Sequence, residues 1–81
     1  MERIEYRKTD GGLPKRVICH FDEFGQERFE EQAVGEDQFT HFTPSEEERH
    51  TAHRIRKEAN KEGGILRLHH EGKLVTIDWA R

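Results

Sequence analysis

The side chains of this sequence that could do chemistry are unevenly placed. From Asp22 to Glu48 the chain carries ten acids against one base, with Phe21, Phe24, Phe29 and Phe39 set among or beside them. Carboxylates around apolar anchors suit docking on a basic surface of another protein, where they can stand in for phosphates at a nucleic-acid site. Small inhibitors from phages and other mobile elements use that strategy. The residues expected to make contact are Glu27, Glu30, Glu31, Glu36, Asp37 and Phe39. A plainer reading stands beside this one, because an edge strand covered in glutamate keeps other chains from pairing with it. The acids are nevertheless concentrated: residues 1–16, 17–48 and 49–81 carry net charges of +2, −9 and +4, although the whole chain carries only −3.

A second reading rests on the basic third block. On a helical wheel Arg49, His50, His53, Arg54, Arg56, Lys57 and Lys61 fall on one broad side, a spacing that could follow a phosphate backbone. The expected nucleic-acid footprint is Arg49, His53, Arg56, Lys57 and Lys61, helped by Arg67 and Lys73. Basic residues late in a helix are also what the helix dipole favours in any protein, so a plain solvated face explains the same spacing.

Other chemistries find less support. The six histidines include His50 and His53 three apart, His41 upstream, and the adjacent pair His69 and His70, but no HExxH or CxxC pattern occurs. No metal and no cofactor is expected. Cys19 sits within a strand-like run next to His20, which projects the other way, and Ser45 is committed to a helix start, so neither nucleophile has a base placed beside it. A non-enzymatic role follows. A lone cysteine also makes no internal disulfide, which fits a reducing compartment and a cytoplasmic location. No run approaches the roughly 18 apolar residues of a membrane span.

These groups must be positioned by few elements. Eighty-one residues make a single small domain, and Leu, Ile, Val and Phe supply only about a fifth of them. Ile4 and Tyr6 alternate with charges from Glu2 to Lys8, and the run Arg16 to Asp22 alternates Val17, Cys19 and Phe21 with Ile18 and His20, which predicts two strands, the second central. Gln26 to Val34 predicts a third, acidic strand at an edge. Residues Gly35 to Phe42 have no clear period and are read as a loop.

Thr43-Pro44-Ser45-Glu46 marks a helix start with Thr43 as N-cap, and Gly63-Gly64 marks its end, giving a helix over about Pro44 to Glu62. Its apolar stripe is narrow: Ala52, Ile55 and Ala59, flanked by Glu48 and Arg56. Ile65 to His70 and Lys73 to Trp79 form a hairpin around Glu71-Gly72 with His70 opposite Lys73, which puts Leu66, Leu68, Val75, Ile77 and Trp79 on one face. The expected fold is therefore α+β in two layers: an antiparallel sheet of about five strands, in chain order β-β-β-α-β-β, with one helix packed on one face. Such a thin core leaves apolar surface on Phe24, Phe39 and Phe42 to be covered by a partner or by a second copy in a homodimer.

Overall fold

A computed structural model describes residues 3–9, 12–58, 63–70 and 72–79. Strands form where the apolar period is two: β1 (Arg3–Thr9), β2 (Lys15–Phe21), β3 (Glu27–Ala33), β4 (Thr40–Phe42), β5 (Gly64–His70) and β6 (Lys73–Trp79), with one helix, α1 (Glu46–Glu58), between β4 and β5. All six strands join one antiparallel sheet in the order β4-β3-β2-β1-β6-β5. The α+β class, the element order around the helix and the antiparallel sheet are those the sequence predicts. In the β5 and β6 hairpin, His70 pairs with Lys73, Leu68 with Val75 and Leu66 with Ile77, again as the turn dictates.

Three expectations are corrected. The sheet has six strands, because Thr40–Phe42, expected as loop, pairs with β3 through Phe29 opposite Phe42 and Glu30 opposite His41. Three residues are too few to show a period, so only the partner strand reveals this element. β3 is consequently internal, and the short β4 takes the edge. The helix starts two residues later than Thr43 suggests: Ser45 Oγ accepts from Glu48 N at 3.2 Å and Ser45 O from Arg49 N at 3.0 Å, which makes Ser45 the N-cap and leaves Pro44 outside. Glu58 is its last described residue; Ala59 and Lys61, like the predicted end at Glu62, lie outside the described residues. Gly63 follows at φ 87, a left-handed conformation that glycine adopts without strain.

The helix covers one face only. Ile4, Tyr6, Val17, Cys19, Phe29, Val75 and Ile77 from the sheet close on Ala52 and Ile55 from α1, with Phe42, Leu66 and Trp79 around the rim. Phe42, expected to await a partner, packs edge-on against Phe29 with ring centroids 5.9 Å apart, because β4 places the two side by side. Buried Thr51 returns its hydroxyl to Glu47 O at 3.0 Å, so it enters the interface without an unmet donor. Gly64 lies against the Trp79 ring, where an added Cβ would come within 2.5 Å of Cζ2. No helix among the described residues is long and apolar enough to cross a membrane.

With so little apolar area on α1, charge completes its attachment. Glu48 occupies the position where a capping-box carboxylate stands, but its carboxylate is bonded to Lys8 of β1, and the two side chains are only 10% and 15% exposed. The Lys8 ammonium also lies 5.7 Å from the Phe42 ring centre. Removing one partner strands a mostly buried charge, so Glu48→Ala should lower unfolding free energy by about 2 kcal/mol in urea titrations. The paired replacement Lys8→Met with Glu48→Met should cost clearly less than the two single losses added together; simple additivity would show that the pair is not coupled.

Candidate functional site

The strand period sorts every charged strand residue onto one of two faces, and this divides the acidic set expected to act together. Glu27 and Glu31 point to the helix layer. Glu27 Oε2 lies 3.1 Å from His53 Nε2 and 3.9 Å from Arg56 Nη2, and Glu31 Oε1 lies 3.4 Å from Lys15 Nζ. Glu30 points to the open face, where its carboxylate lies 3.3 Å from His20 Nε2. Glu36 and Asp37 are exposed in the turn after β3, where Glu36 Oε2 accepts from Ala33 N at 3.4 Å. Phe39 is half-buried, with the Arg16 guanidinium 5.5 Å from its ring centre. Glu27, Glu30, Glu31, Glu36, Asp37 and Phe39 thus lie on different sides of the molecule, and four of the five acids hold other residues of the chain.

The basic set divides too. Arg49, His53 and Lys57 recur every four residues along the exposed side of α1. Arg56 turns inward: it donates from Nη2 to Cys19 Sγ at 3.1 Å and stacks over Phe21 at 4.7 Å from the ring centre. Arg67 and Lys73 sit on opposite faces of the sheet by register, Arg67 opposite Thr76 and Lys73 opposite His70, and Lys61 is outside the described residues.

The structure also assembles the turn joining β2 to β3. Asp22 builds it. Its Oδ1 accepts from Phe24 N at 2.9 Å and Gln26 N at 2.8 Å, its own N donates to Gln26 O at 2.9 Å, its O accepts from Gly25 N at 3.0 Å, and Arg28 Nε donates to Oδ2 at 2.8 Å. Gly25 supplies the left-handed residue at φ 77. The amide of Gln26 first, then Arg28 and the amide of Phe24, hold the Asp22 carboxyl below its ordinary range. This turn projects Phe24 into solvent, 78% exposed, with Phe21 at its base 46% exposed and Glu23 beside it. Sequence reasoning placed Phe24 in the acidic segment but not in the contact set; the signal available was Asp22 three residues before Gly25, a side-chain-stapled turn.

Two groups with reactive potential elsewhere, Cys19 and Tyr6, are buried. Cys19 is fully buried, and burial, with the Glu27 carboxylate, pushes its thiol up to about 11 against the opposing pull of Arg56. Tyr6 is buried as well; desolvation, then Glu48, raise its hydroxyl far above the ordinary value. Among the described residues no three His, Cys, Asp or Glu side chains gather to hold a metal ion. Cys19 is therefore expected to resist a thiol-specific disulfide reagent in the native state at pH 8 and to react stoichiometrically once urea unfolds the chain. Native labelling as fast as a free thiol would show that the Arg56 contact and its packing are not in place.

No family model, curated protein or solved structure matches this chain.

Proposed function

We propose that this chain is a non-enzymatic protein-interaction module, of the inhibitor or regulator type, that docks through the phenylalanine-bearing, acid-flanked turn between β2 and β3. The observation that supports this reading is the exposure of Phe24 on a turn that Asp22 holds rigid. A mobile loop could fold an aromatic ring back onto the sheet, whereas five hydrogen bonds through Asp22 keep this one in water. Aromatic anchors of this kind carry much of the energy at protein interfaces, and an anchor that is ordered beforehand loses little freedom on binding. The matching partner surface is an apolar pocket for Phe24 with basic groups around it to meet Glu23.

In this reading Glu27, Glu30 and Glu31 do their work inside the fold, Glu36 and Asp37 are exposed after β3, and the turn is where a carboxylate and a largely exposed ring reach solvent together. Phe24→Ala is expected to change stability by no more than about 0.5 kcal/mol, since the ring touches little, and to weaken binding of the captured partner at least about thirtyfold, or about 2 kcal/mol. Capture from lysate with the parent and the variant, followed by calorimetry on the identified partner, makes the comparison; equal binding of the two would defeat the proposal.

The turn also has a predicted pH response. Asp22 has a folded value below its ordinary one, so its contribution is complete above the ordinary carboxylate range and is lost as pH falls through the folded value. Affinity should hold from pH 7 to 5 and then fall in acid, with Asp22→Ala already at the low-affinity limit at pH 7. A variant with undiminished affinity at pH 7 would separate the turn from binding.

A further inference from the structure

The uncovered face of the sheet is sorted by side-chain type. Every arginine on a strand lies on it: Arg3 and Arg7 on β1, Arg16 on β2, Arg28 on β3 and Arg67 on β5. Every lysine on a strand, Lys8, Lys15 and Lys73, falls at a helix-side position of the register instead. The two cations are not equivalent. Lysine stems cover apolar edges while their ammonium groups reach a carboxylate, as Lys8 does; guanidinium forks match phosphate oxygens two at a time.

Placement within the face does not follow from folding alone. Arg7 stands directly across from Arg16, and Arg3, His20 and Arg28 form a row over three adjacent strands, although like charges opposite one another disfavour pairing. Acids relieve part of this. Glu5 is bonded to Arg16, Asp22 to Arg28 and Glu30 to His20, while Asp78 sits across from Arg7 without an ion pair. Arg3, Arg7 and Arg67 are exposed and have no ion-pair partner among the described residues. Arg16 is held in place by Glu5 through Nε at 2.8 Å, by Gln32 at 3.3 Å and by Phe39 beneath it, and with Arg7 it lines a pocket of about 260 Å³ to which Glu5 and Asp78 also contribute.

We propose that this arginine face binds duplex nucleic acid through its sugar–phosphate backbone, as a second surface separate from the Phe24 turn. The geometry favours a duplex over a single strand, because among the described residues no Phe, Tyr or Trp side chain on the strands points to this face, and Phe39 beside them is half-buried under the Arg16 guanidinium instead of open to stack an unpaired base. Six strands span about 24 Å, twice the roughly 12 Å of a major groove, so the sheet lies across the backbones and does not enter to read bases. The partner is therefore recognised by charge and shape, with little dependence on sequence.

Fluorescence anisotropy with a 20-base-pair DNA duplex, an RNA duplex of the same length and one unpaired strand, at about 50 mM salt and above, tests the proposal. Binding to either duplex, tighter than to the single strand and weakening steeply with salt, is the expected result; the better of the two duplexes shows which helix geometry the face prefers. Replacing Arg3, Arg7 and Arg67 by Gln should cut affinity at least about tenfold and flatten the slope of log K against log salt by about 2 to 3. All three are exposed, so circular dichroism and melting should be unchanged. Arg49→Gln with Arg54→Gln and Lys57→Gln, on the helix, should leave binding as it was. No binding at about 50 mM salt, preference for the single strand, an unaffected arginine variant, or loss on the helix variant would each overturn the assignment. Phe24→Ala should bind the duplex normally, so failure of the docking turn and failure of this face are told apart.

Discussion

The fold depends on attaching one thinly apolar helix to one face of a sheet. Ala52 and Ile55 are the buried apolar residues α1 contributes, and an alanine and an isoleucine cannot hold thirteen helical residues by area alone. Two charge clusters stand at either end of that contact. Toward the N-terminus Glu48 meets Lys8 over Phe42; toward the C-terminus Arg56 meets Glu27, the Cys19 sulfur and the Phe21 ring, with His53 on the same carboxylate. Both are partly desolvated, where partners matter more than at an open surface. Two of the ten acids of the −9 block, Glu27 and Glu48, are the acidic half of these attachments.

That use of charge explains why a patch read along the chain is not a patch in space. Glu27, Glu30 and Glu31 are neighbours in sequence, yet the pleat sends Glu30 to the side of His20 and the other two to the side of the helix. The parity was legible: Phe29 had to face the core, so odd positions of β3 had to go with it. Which bases would meet those acids was not, because the pairing of β3 with β2 and the path of α1 over Glu27 are properties of the assembled sheet. Arg56 illustrates the limit. Its helical position adjoins the buried stripe, but only the position of Cys19 and Phe21 on β2 turns it from a surface cation into a buried donor.

Local rules carried most of the fold. Alternation located β1, β2, β3, β5 and β6 to within a residue or two, and the short turn at Gly72 fixed the last hairpin's register. β4 escaped because three residues hold no period, and the helix cap shifted from Thr43 to Ser45 because two hydroxyl residues, one on each side of Pro44, both satisfy the cap chemistry. The Asp22 turn is read from the sequence only as a reversal at Gly25, although Asp22 three residues earlier signals a side-chain-stapled turn. Nothing in composition says that its carboxylate would gather two amides and a guanidinium and so decide where Phe24 points.

Covering a sheet on one side imposes a problem on the other, since a bare apolar face would aggregate and a bare ladder of like charge would strain the strands. The open face meets these demands in part, with interleaved ions around the buried Ile18, flanked across the strands by Glu5 and Glu30, while Ile65 and Leu74 stand exposed on its β5 and β6 side. Either cation would have served for solubility, and lysine is the commoner choice at exposed strands. The consistent use of arginine where the face is open, and of lysine where the stem can pack against the helix layer, separates two tasks that net charge alone would merge. One face spends its cations on closing the core. The other leaves the guanidinium groups of Arg3, Arg7 and Arg67 exposed and without an ion-pair partner among the described residues, and it is on this difference that the proposed anionic partner rests.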